Sequence, residues 1–285
     1  MRAAMNDYGL LPEEELASTG DRQFVSALAR GLEILRCFGP DDAMLGNQEL
    51  ARRTGLPKAT VSRLTHTLCR LGYLIHAERL GKYRPGAAVL ALGYAGLAHA
   101  GIRERARPLM QQLAAETGTS VALGTRDRLN MIYLEHAHGA SVMTLRLQVG
   151  ARIPMATTAL GRAFLAALPE AEREYLMGHM ARRYGGDWPR VRRGIEQALV
   201  HCAEHGYCLA GGEWQPDVHA VGVACVSADG SDTVAFNCGG PRFLVSGERL
   251  ETDIAPRLVH LAHTLQGATD TPVERRPVPQ RRETP

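Results

Sequence analysis

The sequence predicts an α+β chain: a winged helix-turn-helix near its start, then helices set against a largely antiparallel sheet. Three observations carry this. Residues 47–84 run as helix, glycine, proline, helix, glycine and basic hairpin. The spacing of apolar residues changes to two at Ser120, the period of a strand. It returns to three and four in the stretches after Thr158 and Glu248, the period of a helix.

Residues 24–38 place Phe24, Leu28, Leu32, Leu35 and Phe38 on one face of a supporting helix, which Gly39 and Pro40 end. Asn47 is expected to cap the next helix, with Leu50 and Ala51 on its buried side and Gly55 at its end. Pro57 then falls where a new helix begins, because a first turn needs no N–H there. In that second helix Val61, Leu64, Leu68 and Leu71 form an inward stripe. The other face offers Lys58, Ser62, Arg63, His66, Thr67 and Arg70, donors suited to phosphates and base edges in a major groove. Gly72 stops the helix, residues 73–76 form a short strand, and residues 78–84 make a wing whose Arg79, Lys82 and Arg84 suit backbone phosphate.

Charge sharpens this expectation. Residues 22–84 hold eleven Lys and Arg against five Asp and Glu, a surplus of six, whereas the whole chain is only +3. The remaining residues therefore sum to −3. A basic module joined to a slightly acidic one confines the polyanion-binding surface to the first, since neutralised phosphates dominate such affinity.

Past Pro85 a helix rich in small residues is expected to link two domains, with Leu90, Tyr94 and Leu97 as a seam for a second copy. SVALGTR, the turn DRLN and MIYLEHA then read as a hairpin, and VMTLRLQVG as a further strand. Helices follow over 158–168, after Pro169 and over 189–205. Strands at about 219–227 and 232–238 are joined by the turn AlaAspGlySer at 228–231. A final helix over 248–265 aligns Leu250, Ile254, Leu258, Leu261 and Leu265. The expected domains are 22–85, the linker 86–101 and 102–268, with disordered ends at 1–21 and 269–285.

With 285 residues and 45% hydrophobic content, both domains can bury cores. No apolar run approaches the length of a membrane span, and the first residues lack a secretory signal's hydrophobic region, so a cytoplasmic protein without membrane contact is expected. Six scattered cysteines do not form a disulfide framework. His201, Cys202, His205 and Cys208 lie close together, with the two histidines four apart on a helix, but no second pair completes a finger. Cys225, Cys238, His219 and Glu213 are the parts of a thiol nucleophile, yet no nucleophile elbow or phosphate loop accompanies them. Neither an enzyme nor a cofactor is expected. The alternative is a small-molecule enzyme or metal-binding protein whose N-terminal unit mediates protein contacts.

Three segments carry a family resemblance: ELARRTGLPKATVSRLTHTLCRLGYL at 49–74, GARIPMATTALGRAFLAALP at 150–169, and HGYCLAGGEWQPDVHAVGVACVSADGSDTVAFNCGGP at 205–241. In this order and spacing the chain resembles the IclR family of bacterial transcriptional regulators from about Phe24 to Gly267. The resemblance implies a winged helix-turn-helix, a linker helix and a GAF-like effector-binding domain. It implies double-stranded operator DNA as partner, a homodimer or tetramer, and more often repression than activation. DNA contacts are expected from Lys58, Ala59, Thr60, Ser62, Arg63, Thr67, Arg70, Arg79, Lys82 and Arg84.

A small organic acid is the expected effector. The helix opening at Thr158, Ala159, Leu160 and Gly161 leaves N–H groups without internal partners, which favours an anionic group. By resemblance the pocket also takes His219, Ala220, Asn237 and Gly239. The chain departs from the family pattern here: Ala210 and Gly211 stand where paired acids are common, and His219 where Arg often precedes the pocket strand. Ala220, Asn237 and Gly239 replace thiol- or hydroxyl-bearing residues. A pocket poorer in polar groups, fit for an aromatic or longer acid, is therefore expected, with Asn237 reading a hydroxyl or amide.

Overall fold

The computed structural model describes residues 23–40, 42–98, 101–139, 147–227 and 232–267. Its N-terminal unit is three helices and a small sheet. Helix α1 (Ser26–Arg36) packs through its C-terminal half, burying Ile34 with Cys37. Leu28 and Leu32 are 63% and 49% exposed, so of the stripe expected over 24–38 it is Leu35 and Phe38 that pack on the core. Contact with the helices below adds Ile34 and Cys37, which lie off that stripe, to the buried face.

A two-residue strand β1 (Leu45–Gly46) leads into α2 (Asn47–Thr54). Gly46, extended, precedes the helix. Asn47 lies inside its first turn and makes no cap; its Oδ1 is buried without a hydrogen-bond partner. Gly55 ends α2 at φ +74°, a left-handed geometry that only glycine adopts cheaply. Helix α3 (Lys58–Arg70) follows Pro57 and buries Val61, Thr65 and Leu68. The Thr65 hydroxyl donates to Val61 O at 3.0 Å, which lets a polar residue sit in the core. Leu71 is 62% exposed and leaves the expected stripe. Strands β2 (Leu74–Ala77) and β3 (Lys82–Pro85) form the wing, and β1 pairs with β3 on its other edge. Tyr83 stacks on His76 across the wing at 4.7 Å.

Helix α4 (Ala87–Ala98) is apolar on every side, and α5 (Gly101–Thr117) starts the C-terminal unit. There six strands run in the order β6-β5-β4-β9-β8-β7, every neighbouring pair antiparallel. They are β4 (Ser120–Asp127), β5 (Asn130–Ala137), β6 (Arg152–Pro154), β7 (Cys208–Gly211), β8 (Val218–Val226) and β9 (Thr233–Pro241). One face carries Val121, Leu123, Val221, Val223 and Phe236 and is covered by α5 and the terminal helix α9 (Ala255–Gly267). A π-helical turn over Leu250–Ile254 precedes α9, and Leu250, Ile254, Leu258, Leu261 and Leu265 are all buried as expected.

The other face is covered by α6 (Ala159–Ala167), α7 (Glu170–Tyr184) and α8 (Trp188–His205), which pack Leu160, Phe164, Leu165, Leu176 and Ile195 against the sheet. The fold is thus α+β with helices flanking an antiparallel sheet. Four expectations fall wholly or partly on residues outside those described: the end segments 1–21 and 269–285, the turn at 228–231, and most of the strand VMTLRLQVG. Of that last segment, residues 147–150 form no strand.

Candidate nucleic-acid interface and effector cavity

On α3, Lys58, Ala59, Ser62, Arg63, His66, Thr67 and Arg70 are exposed and Thr60 is half-buried. Arg79, Lys82 and Arg84 are exposed on the wing. Among the described residues none of these Lys and Arg side chains enters an ion pair, so their charges face solvent. The arginines of α2 differ: Arg52 and Arg53 are held by Glu49, and Arg53 by Asp42 at 2.6 Å. The cations of this unit therefore divide into a structural set on α2 and an available set on α3 and the wing.

The second site is a cavity of about 570 Å³, its open mouth included, between the sheet and the start of α6. Its floor is built from small residues in register. Ser120 of β4 pairs with Gly239 of β9, Gly239 with Ala220 of β8, and Ala220 with Ala210 of β7. Thr158 caps α6: its Oγ1 accepts from Gly161 N at 3.2 Å and donates to Pro154 O at 2.7 Å. Among the described residues that leaves the N–H groups of Ala159 and Leu160 without a partner at the helix start. Glycines let the helix start approach so closely. A Cβ on Gly161 would lie 2.1 Å from Met155 O, and one on Gly222 would lie 2.2 Å from Ala159 O.

Polar groups ring the cavity. Arg162, almost wholly buried, donates from Nε to Ala156 O at 3.0 Å and forms a two-pronged ion pair with Glu213, which lines the cavity. Burial pushes the Tyr133 hydroxyl well above its ordinary pKa, a shift that a hydrogen bond from Asn237 opposes. Tyr133 is therefore a neutral phenol at any working pH. The Asn237 Oδ1 is buried and unpartnered.

Five of the seven residues expected at an effector site line this cavity: Thr158, Ala159, Ala220, Asn237 and Gly239. Leu160 and His219 do not. The Leu160 side chain is buried in the core beside Gly124, so only its backbone belongs to the helix opening. Strand alternation turns His219 to the opposite face from Ala220, where its Nδ1 lies 3.1 Å from Val245 O. The cavity also has polar lining residues beyond the expected set. Ser120, Tyr133, His136, Thr157, Glu213 and Gln215 line it, supplied mainly by elements that the sequence reading did not assign to the site. Tyr133 follows from the alternation of its strand; His136 does not, because a β-bulge between the two inverts that alternation.

The remaining constellations do not assemble. His201 and His205 stack at 4.3 Å, and no group of three metal-ligating residues exists among the described residues. A hydrogen bond from the Cys208 thiol lowers Cys202 to about 7, while the same contact and burial push Cys208 up. Cys238 lies against Thr119 at 2.9 Å, raised by burial to about 11, and Cys225 is buried in the core over α9. Glu213 stands on the other side of the sheet. Neither thiol is activated as a nucleophile. Among the described residues no helix is long and apolar enough to cross a membrane.

Two family models match the chain: the IclR helix-turn-helix domain over residues 27–76, and the bacterial transcriptional regulator IclR C-terminal over residues 94–266. The chain is 36% identical over 244 residues to the HTH-type transcriptional regulator TsaQ1/TsaQ2 of Comamonas testosteroni, covering 85% of this chain and 87% of that protein. It is 29% identical over 265 residues to the Pca regulon regulatory protein of Pseudomonas putida, covering 88% of each. The crystal structure of an IclR family transcriptional regulator from Brucella abortus superposes with a TM-score of 0.81 at 49% identity, covering 88% of this chain and 95% of that one.

Proposed function

This chain belongs to the IclR family of bacterial transcriptional regulators, DNA-binding proteins with an effector-binding domain, and from that premise we propose how its two sites divide the work. Helix α3 enters a major groove, with Lys58, Ala59, Thr60, Ser62, Arg63 and Thr67 near base edges and Arg70 at phosphate. Arg79, Lys82 and Arg84 of the wing hold the flanking backbone. The unpaired cations on these elements support this reading, since Arg52 and Arg53 beside them are already neutralised.

The effector is a small organic acid. The observation that carries this is a concave, partly apolar cavity with the first N–H groups of α6 at one wall and an unpartnered Asn237 Oδ1 within it. Its carboxylate takes the N–H groups at Ala159 and Leu160, and Asn237 reads a neighbouring polar group. The direction of regulation proposed is repression, as the family resemblance implies. The working species is a symmetric oligomer formed through α4, whose Leu90 and Tyr94 are 76% and 72% exposed, one turn apart.

Gel shifts of the upstream intergenic region test the DNA half. A sequence-selective, salt-sensitive complex is expected, with Arg63→Ala relaxing sequence preference and Arg79→Ala weakening all sequences alike. Absence of any shift at low salt would sink it. A thermal-shift screen of organic acids tests the other half, because a ligand that binds only the folded state raises its melting temperature. A flat screen counts against an acid effector, a fall in target transcription on gene deletion against repression, and a monomeric mass by light scattering against the α4 interface.

A further inference from the structure

One row of the sheet crosses the floor of the cavity. His136 of β5 stands opposite Ala122 of β4, Ala122 opposite Asn237 of β9, and Asn237 opposite Gly222 of β8. Gly222 is the residue over which the start of α6 is seated, as the 2.2 Å approach to Ala159 O requires. The row therefore runs from the helix opening at one end to His136 at the other. Strands lie about 4.8 Å apart, so three steps separate the two backbones by about 14 Å. An aromatic ring with a polar substituent at each end, hydrogen-bonded at both through contacts of about 2.8 Å, spans a gap of about that length.

His136 reaches the cavity because of a β-bulge. The β4–β5 register slips between Leu123 and Gly124: Glu135 opposes Leu123, Tyr133 opposes Gly124, and Leu134 is the extra residue. Unbroken alternation from Tyr133 would put Glu135 on the cavity face and His136 on the far face. The bulge exchanges them. Glu135 turns to the α5 side, where Arg103 and Arg107 meet it at 3.0 and 2.7 Å. His136 lines the cavity instead, its ring stacked beside Tyr133 at 5.8 Å. A carboxylate that would repel an acid is thus replaced by an imidazole. The ring's Nδ1 lies 3.1 Å from His138 Nε2, and among the described residues its Nε2 has no hydrogen bond.

We propose that His136 is a specificity-determining residue, which hydrogen-bonds a polar group at the far end of an effector whose carboxylate sits at the start of α6. The ligand class that fits is a flat aromatic monocarboxylate with a hydroxyl opposite its carboxylate. Burial and the neighbouring His138 lower the ring to about 4, against an opposing pull from Glu135, so near neutral pH it is an uncharged donor or acceptor. An uncharged ring favours a hydroxyl over a second carboxylate at that end. The inference rests on the cavity being the effector site.

Calorimetric titration of the purified full chain with 4-hydroxybenzoate, benzoate and terephthalate tests it. For the unaltered protein 4-hydroxybenzoate binds about tenfold tighter than either other acid, the worth of one well-made hydrogen bond. His136→Phe keeps the ring's bulk without its nitrogens and brings 4-hydroxybenzoate to within about threefold of benzoate. His136→Gln, which restores a neutral donor and acceptor, recovers most of the preference. A preference that survives His136→Phe overturns the inference, as does no preference in the unaltered protein or no binding of any of the three acids. Ala220→Leu, which fills the cavity floor, separates the two levels. If it leaves binding intact, the cavity is not the effector site; if it abolishes binding while His136→Phe still discriminates, only the role of His136 fails.

Discussion

Arg162 is 2% exposed, and its charge is satisfied by Glu213 together with Ala156 O. Glu213→Ala would leave that guanidinium buried without a counter-charge. Breaking one side of a buried pair is costly, and because Glu213 is itself a third exposed the loss is set at about 3 kcal/mol, readable by urea denaturation. A loss under about 0.5 kcal/mol, the scale of a surface change, would show that water replaces the carboxylate. His136 makes a prediction on pH. Its folded-state pKa is depressed to about 4 from an ordinary 6.5, so below 6.5 the unfolded chain binds a proton that the folded chain refuses until about 4. The stability contributed by the neutral ring is present at neutral pH and lost as pH falls through that window. Melting curves at pH 7 and 5 should therefore lie closer together for His136→Gln than for the unaltered chain; equal spacing would contradict the assignment. At this scale the sequence was a partial guide. Thr158 and Ala159 were legible because the start of a helix is a local fact, whereas Asn237 was legible only through the family resemblance. Glu213 was considered only as a partner for thiols, since its pairing with Arg162 spans 51 residues and is made by the tertiary fold.

Helix α6 reaches the sheet only because Gly222 offers no side chain beneath Ala159. Gly222→Ala forces backbone against Cβ at 2.2 Å, so the helix start must lift and its two free N–H groups move from the cavity wall. Overpacking of this kind costs about 1–3 kcal/mol, and here it should also weaken acid binding about tenfold or more by calorimetry. A variant with normal affinity would show that α6 does not hold the carboxylate. Elements punctuated by glycine or proline were read from sequence close to their true bounds: α2, α3 and α8 all begin or end beside such residues. The strands β1, β6 and β7 were not, because two to four residues cannot display a period. The bulge at Leu134 escaped for a deeper reason. It has no residue signature, and it inverts which of Glu135 and His136 faces the cavity, so strict alternation gives the wrong answer at the position that bears most on specificity.

The reading unit and the cavity are joined by ion pairs within one chain. Arg36 at the end of α1 donates to both oxygens of Asp127 at 3.0 and 2.9 Å, and Arg152 of β6 meets the same carboxylate at 2.6 Å. Arg128, at φ +60° in the same turn, pairs with Glu33, which is buried in α1. The residue after Arg152 is Ile153, which lines the cavity. Strand β6 therefore has one side chain against the guest and the next in a carboxylate shared with the DNA-reading unit. Burial pushes the Asp127 carboxyl up, but the hydrogen bonds and charges of the two arginines together outweigh it and hold it below the usual carboxylate range, so the link stays charged near neutral pH. The prediction at this scale is that a guest which shifts β6 moves Asp127 with it, and so the angle at which α1 presents α3. Coupling of this kind is a free energy between two sites, commonly worth about 5- to 150-fold in affinity. Asp127→Asn keeps the shape of the turn but removes the charge that both arginines share. Acid affinity and operator affinity measured separately should stay within about threefold of the unaltered chain, while the ratio of operator affinities with and without acid falls toward one. If that ratio is unchanged in Asp127→Asn, the signal does not pass through this turn. A loss of operator binding in the absence of acid would instead make Asp127 a brace for the reading unit, and the two outcomes are separated by one titration.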